Sequence, residues 1–217
     1  MKKLILFISI FVIYSLSFST LIDKDLYKKL GSPSLDKKVL NRALEGLSEI
    51  DIENKQVITI IDYTKSANEK RLFVIDLKKE IIIFDTYVSH GKNTGGEFAK
   101  IFSNNVDSLQ SSVGFFKTSN TYMGSNGYSM RLDGLEKGIN DNARERNIVI
   151  HGAKYATKSF INKNGRLGRS WGCPAVPLDL SKDLINSIKG GSIVYINGDL
   201  NNYQKKTKLL NLYKTDI

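Results

Sequence analysis

The chain contains one cysteine, Cys173, and two histidines, His90 and His151, and these three side chains define the nucleophilic chemistry open to it. A thiol attacks as its thiolate. A free cysteine, with a pKa of about 8.5, therefore needs a neighbouring imidazole to take its proton at neutral pH. His151 follows the compact apolar run Asn147-Ile148-Val149-Ile150 and precedes Gly152. That setting predicts a histidine at the end of a strand, where the backbone can approach a ligand or orient the ring. His90 also closes a strand-like run, and it opens the loop Gly91-Lys92-Asn93-Thr94-Gly95-Gly96. Cys173 lies in the tight segment Ser170-Trp171-Gly172-Cys173-Pro174. There Gly172 leaves backbone N–H groups unshielded towards a developing oxyanion, and Ser170 and Trp171 are placed to shape a pocket rim. The competing reading is a buried structural cysteine in a Gly-Pro turn, since free Cys is among the most buried residue types. One Cys and two His fall short of a usual zinc ligand set unless carboxylates complete it, so no metal and no other cofactor is expected.

The elements that must position these residues are short. Residues 20–31 read as a polar, loosely ordered lead-in. Ser32-Pro33 resembles an N-cap with proline in the first helical position, and Leu35, Val39, Leu40, Ala43, Leu44, Leu47 and Ile50 recur at helical spacing. Residues 56–62 and 71–77 are β-branched or alternating and read as strands, and Lys78-Lys79-Glu80 turns the second into a hairpin with residues 81–88. The stretch 90–121 is loop-like, broken by a short apolar strand at Val113-Gly114-Phe115-Phe116. Another strand is expected at 128–132. Residues 154–169 read as a mobile polar segment. Leu180, Leu184, Ile185 and Ile188 mark a helix closed by Gly190-Gly191, and residues 192–196 form a last strand. These elements predict an α+β, mainly β domain, while periodicity alone gives no topology.

His151-Gly152, followed 22 positions after the histidine by Cys173 within Ser170-Trp171-Gly172-Cys173, resembles the signature of the L,D-transpeptidase (YkuD-like) family, His-Gly, a spacer, then Ser/Thr-His-Gly-Cys. The resemblance is closest to a divergent branch of murein L,D-transpeptidase catalytic domains. That branch shares Val88-Ser89-His90-Gly91-Lys92-Asn93, the stretch from Leu132 to Arg144, and Gly165 to Pro177. It implies a β-sandwich-like catalytic domain with the cysteine in a cleft. It further implies Cys173 as nucleophile, His151 as general base, the Gly152 carbonyl as orienter of the imidazole, and backbone N–H groups of Trp171, Gly172 and Cys173 as the oxyanion hole. Trp171 stands where the main family has a second histidine, and Ala175 where it has a polar residue. The reaction implied is acyl transfer on peptidoglycan stem peptides through a Cys173 thioester, with loss of terminal D-alanine and transfer to an amine. Water as acceptor would instead make an L,D-carboxypeptidase or endopeptidase, and a noncatalytic wall-binding module is the alternative from another class. Arg131, Arg144, Arg166 and Arg169 are candidates for stem carboxylates because arginine presents a planar fork that matches them. Ser170, Tyr128, His90 and Asn93 are candidates to line the cleft. An accessible, low-pKa Cys173 is expected.

The amino terminus frames where this chemistry takes place. Met1-Lys2-Lys3 precedes an apolar run from Leu4 to Leu16 and small residues at Ser17 and Ser19, the pattern of a cleaved secretory signal, and the run is short for a span of about 20 residues. Export to the periplasm or cell wall is expected, with no stable membrane insertion after the signal is removed. An exported chain with one thiol cannot use it for an internal disulfide. Lys and Arg number 32 against 22 Asp and Glu, and loss of Lys2 and Lys3 leaves 30 against 22, a surface that favours acidic partners such as wall polymers. No nucleic-acid motif is present. The expected organisation is residues 1–19 as signal, 20–55 as lead-in and helix, 56–197 as catalytic domain and 198–217 as a basic tail.

Overall fold

A computed structural model of the chain describes residues 26–52, 54–198 and 200–210. The expected signal, residues 1–19, lies outside the described residues. No helix among the described residues is long and apolar enough to cross a membrane.

Helix α1 (Leu26–Leu30) and helix α2 (Lys37–Glu49) lead into strand β1 (Val57–Asp62), β2 (Leu72–Asp76) and β3 (Ile81–Thr86). After a long loop come β4 (Gly114–Gly124), β5 (Gly127–Gly134) and β6 (Val149–Ala153). Helix α3 (Lys158–Asn164), β7 (Ala175–Pro177), helix α4 (Leu178–Ile188), β8 (Ile193–Asn197) and helix α5 (Leu200–Gln204) complete the order. The strands form one sheet in the order β3-β2-β1-β8-β4-β5-β6-β7. Pairing is parallel between β1 and β8 and between β6 and β7, and antiparallel elsewhere.

Both faces of the central strands are covered, which is why they read as continuous apolar runs. On one face Leu40, Leu44 and Leu47 of α2 pack against Ile58, Ile60, Phe73, Ile75, Phe115 and Tyr195. Gly46 permits this contact, because a methyl group there would meet the Phe115 ring at 2.0 Å. On the other face Leu184, Ile185 and Ile188 of α4 pack with Val74, Phe116, Leu132, Ile150 and Val194. The chain beyond β3 then reaches the opposite edge of the sheet. Ser89 N–H donates to Ala175 O at 2.8 Å and Ala175 N–H returns to Ser89 O at 3.3 Å, while Gly91 bridges Ser170 in parallel. The two edges thus meet beside the cysteine segment, which gives the mainly β, α+β domain its sandwich-like closure.

Several local expectations change. Residues 26–30 are helical with Leu26 buried, so the lead-in is not loosely ordered throughout. Helix α2 starts after Asp36, whose carboxylate accepts from Val39 N–H, and not at Ser32-Pro33. The segment 154–169 contains α3, capped by the Thr157 hydroxyl and ended by Gly165 at φ 79°. Residues 200–210 are not simply a basic tail, because Tyr203 and Leu210 are buried in the α2-side core. The Tyr203 hydroxyl donates to the buried Glu136 carboxylate at 3.0 Å.

Candidate active site

Strand β6 carries His151 at its middle, two residues further from the end than expected, because pairing with β7 extends the strand to Ala153. In that pairing His151 stands opposite Ala175, and His151 N–H donates to Pro174 O at 3.4 Å. Cys173 therefore lies two residues before β7, beside the histidine strand. His151 Nδ1 lies 3.1 Å from Gly152 O. A carbonyl can only accept, so a neutral imidazole here carries its proton on Nδ1 and leaves the Nε2 lone pair free as a base. Burial lowers the His151 pKa, against a smaller opposing effect of the Gly152 hydrogen bond.

The Cys173 side chain keeps partial solvent access, and its thiol is 3.6 Å from Asn147 O. The expected low-pKa thiol is not what the surroundings produce. Burial pushes the Cys173 thiol up, outweighing the backbone N–H groups of Val149 and Cys173 and the Arg146 guanidinium, which favour the thiolate. Thiol and imidazole are thus both biased towards their neutral forms.

A dense set of backbone bonds fixes the cysteine segment. Ser170 Oγ donates to Cys173 O at 2.6 Å and accepts from Gly172 N–H at 3.1 Å. Ser111 Oγ donates to Gly172 O at 3.1 Å and accepts from Gly91 N–H at 3.0 Å. Gly172 has φ 127°, and a methyl group there would lie 2.9 Å from Gln110 O. Of the three expected oxyanion donors, Gly172 N–H is occupied by Ser170 Oγ, and the Cys173 N–H is turned to its own sulfur. Ser170 is buried and holds this turn, where a rim residue was expected.

The other candidates divide. His90 is 1 % exposed and does not line a cleft. Its Nδ1 accepts from Arg71 Nη2 at 2.8 Å and its Nε2 faces Gly95 O at 3.3 Å, and burial, aided by Arg71, lowers its pKa to about 4. Its backbone serves the site, since Ser170 N–H donates to His90 O at 2.9 Å. Arg144 is committed to a forked ion pair with Asp133, at 2.6 and 2.7 Å, so it is not a free carboxylate ligand. Tyr128 donates to Asn186 on α4 at 3.1 Å and packs on the α4-side core, away from a rim role. Asn93 is exposed and donates to Ser108 O at 2.9 Å. Arg131 lies over the Tyr122 ring at 4.7 Å and donates at 3.1 Å to Oδ1 of Asn147, the residue whose carbonyl also faces the Cys173 thiol. Arg166 and Arg169 line a cleft together with Lys92, Phe160, Asn164 and Gly168. Trp171 is 75 % exposed, with Lys92 Nζ 5.9 Å from its ring centroid.

Two residues that the sequence does not single out also belong here. Arg146 donates through Nη1 to Ser103 O at 2.6 Å and to Ser112 Oγ, and through Nη2 to Gln110 O at 2.5 Å, which places a fixed cation beneath the cysteine loop. Tyr155 lies within electrostatic reach of Cys173, and its pKa is pushed up to about 12, chiefly by burial. Arg146 is one of two arginines in Arg144-Glu145-Arg146, and only the fold separates their roles. Among the described residues no group of three or more His, Cys, Asp or Glu could hold a metal ion.

Residues 31–197 match the family model of the L,D-transpeptidase catalytic domain. No curated protein matches the chain. Among solved structures, the chain is similar to an L,D-transpeptidase from Mycobacterium smegmatis at 12 % identity and TM-score 0.43, covering 66 % of this chain and 59 % of that one. It is similar to the helical cell shape determining protein Pgp2 from Campylobacter jejuni at 15 % identity and TM-score 0.43, covering 70 % and 54 %. An L,D-transpeptidase from Stackebrandtia nassauensis matches at 15 % identity and TM-score 0.39, covering 81 % and 75 %. The match thus spans about three fifths of the M. smegmatis chain. With the family model covering its described core from the start of the α2 segment to the end of β8, the chain belongs to the L,D-transpeptidase catalytic domain family.

Proposed function

We propose that the protein is a murein L,D-transpeptidase working through a Cys173 thioester. The observation that carries this reading is the β6–β7 pairing, which brings the cysteine segment alongside a histidine whose Nδ1 is held by the Gly152 carbonyl. In the first half-reaction His151 Nε2 takes the thiol proton as Sγ attacks the carbonyl between the L-centre of a diamino acid and the terminal D-alanine. The C–S bond forms, the C–N bond breaks, and the imidazolium returns its proton to the departing D-alanine amine. In the second, an amine attacks the thioester and gives its proton to His151. The new C–N bond forms, and sulfur leaves and regains a proton. The backbone N–H of Trp171 stabilises the oxyanion, joined by Gly172 N–H when Ser170 Oγ yields its bond and by Cys173 N–H when the sulfur it faces moves to the substrate carbonyl.

The export pattern of residues 1–19 supports the same reading, since it delivers the enzyme to the compartment that holds its substrate. Incubation of the purified protein with tetrapeptide-bearing muropeptides tests the proposal. Crosslinked dimers and free D-alanine are expected, and Cys173→Ala should make neither. Tripeptides without dimers would reassign the acceptor to water, and the absence of any product would end the reading.

A further inference from the structure

The loop 103–112 contributes neither Cys173 nor His151, yet it packs directly on the cysteine turn. Ser111 Oγ donates to Gly172 O at 3.1 Å. A methyl group on Gly172 would lie 2.9 Å from Gln110 O, and one on Gly91 would lie 2.6 Å from Leu109 O and 3.0 Å from Gly172 Cα. The position of Gly172 is therefore tied to the shape of this loop. That shape is costly, because Asp107 and Leu109 have φ 58° and 57°, a region that side chains rarely adopt and that persists only where the surroundings fix it.

One side chain does the fixing. Arg146, three residues before β6, donates through Nη1 to Ser103 O at 2.6 Å and to Ser112 Oγ. Through Nη2 it donates to Gln110 O at 2.5 Å and to Ser108 Oγ at 3.1 Å. Both ends and the middle of the loop thus meet one planar group, and among the described residues no carboxylate pairs with it. Nη2 would lie 3.6 Å from a methyl group on Gly172, so the charge stands directly behind the turn that carries the cysteine. The ionisable groups that share these surroundings with the Cys173 thiol are His151 on the paired strand, Tyr63, Tyr155 and Arg146. Burial favours the neutral forms of the imidazole and both phenols, which leaves Arg146 as the member of this group that is charged at neutral pH.

We propose that Arg146 is a positioning residue of the acyl-transfer site, clamping the 103–112 loop so that Ser111 and Gln110 seat Gly172 and Cys173 while its fixed charge faces the turn. This role rests on the Cys173 thioester reading proposed above. Negative charge forms twice in that reaction, on sulfur as its proton leaves and on the substrate oxygen as it is attacked. A cation already held by four acceptors meets both without rearranging. The fork matters as well as the charge, since a lysine ammonium carries its donors on a single nitrogen and cannot bridge acceptors shared between two.

The test compares the wild-type protein with Arg146→Gln, which removes the charge, Arg146→Lys, which keeps it, and Ser111→Ala, which cuts the link from loop to turn. D-alanine release from a tetrapeptide-bearing muropeptide gives kcat and donor KM, and iodoacetamide alkylation of Cys173 across pH reads the thiol without turnover. In both Arg146 variants kcat should fall about tenfold or more while donor KM stays within about threefold. The midpoint of alkylation should move up by about half a pH unit or more in Arg146→Gln and stay near that of the wild type in Arg146→Lys. Combining Arg146→Lys with Ser111→Ala should lose little more than the worse single variant, because both break one link. Losses that multiply would show that Arg146 does not act through the loop, and wild-type kcat in Arg146→Lys would show that the fork is dispensable; either overturns the proposal. An unmoved midpoint in Arg146→Gln does the same, and if that variant does not fold, Arg146→Lys and Ser111→Ala still decide. Wild-type protein that releases no D-alanine ends the thioester reading and this role with it, whereas an active wild type with unaffected variants ends this role alone.

Discussion

At Cys173 and His151, burial acts in opposite directions on the two pKa values and to the same chemical end. It raises the thiol and lowers the imidazole, so the resting pair is neutral, and in the proposed mechanism the proton moves only as the substrate carbonyl arrives. Activity then requires the pair to hold one proton between them. The acid limb of kcat/KM should fall below the ordinary imidazole value of about 6.5, and the alkaline limb above the ordinary thiol value of about 8.5. Alkylation of Cys173 by iodoacetamide should be slower near neutral pH than that of free cysteine and should accelerate into the alkaline range. Rapid alkylation that is flat from mildly acidic to neutral buffer would mean a resting thiolate and would sink this account. In the sequence, one cysteine and two histidines left the choice open, and it was the family resemblance around His151 and Ser170 to Pro177 that singled out the two residues that β6 and β7 place side by side. The direction of the thiol shift was not legible there, since it comes from atoms brought in by distant segments. The same limit hid the contrast between His90, whose ring is enclosed through Arg71, and His151, whose Nε2 stays free.

Among the elements, the cysteine loop and the C-terminal helix make separate contributions. The loop depends on a backbone conformation that side chains rarely adopt, at Gly172 with φ 127°. In Gly172→Ala the methyl would press on Gln110 O at 2.9 Å and on Ile148 Cδ1 at 3.3 Å. Strain of about 1–3 kcal/mol is expected from the backbone alone. A shift of Cys173, the proposed nucleophile, by about 1 Å would cost roughly 100-fold in rate. An alanine variant with wild-type kcat would show that the loop tolerates another conformation. Helix α5 reaches the core through Tyr203, whose hydroxyl is 3.0 Å from the Glu136 carboxylate, with Phe115 N–H at 2.7 Å and the Thr207 hydroxyl also on it. Tyr203→Phe should lower unfolding free energy by about 1–2 kcal/mol with activity retained, read by urea denaturation. Burial raises the Glu136 pKa against these hydrogen bonds. Its contribution to stability is accordingly full below the ordinary carboxylate pKa and declines as pH rises through the raised folded value. Glu136→Gln should remove that part of the decline, and an unchanged slope would rule it out. The sequence announced β2–β3, α4 and β8 through alternation and glycine punctuation. It left α3 unannounced although Thr157 and Gly165 cap it, because seven residues carry too little periodicity to outweigh their polarity.

For the whole molecule the decisive event is the meeting of the two sheet edges at Ser89–Ala175 and Gly91–Ser170. No local pattern encodes it, because the partners are about eighty residues apart and β1 pairs in parallel with β8 across still more chain. What secures it is Arg71, fully buried and without an ion-pair partner among the described residues. Its guanidinium donates to Val88 O at 2.8 and 3.1 Å, to Lys65 O at 2.9 Å and to His90 Nδ1 at 2.8 Å, and lies 4.9 Å from the Tyr63 ring centroid. The Tyr63 hydroxyl in turn donates to Ser89 O at 3.2 Å. A buried cation persists because these acceptors line the segment that closes the sheet and would otherwise be left unpaired. Arg71→Met should therefore cost at least about 3 kcal/mol in urea unfolding, since each buried acceptor left unsatisfied carries roughly 1–3 kcal/mol. In the folded fraction kcat should fall more than donor KM rises, because His90 O positions Ser170 and Ser170 holds the Cys173 carbonyl. Arg71→Lys should restore part of the stability, since its ammonium can replace some of these donors but cannot span them as a planar fork. A methionine variant with wild-type stability and kcat would mean that the edges close without the guanidinium, leaving the Ser89–Ala175 pairing to hold the cysteine segment unaided.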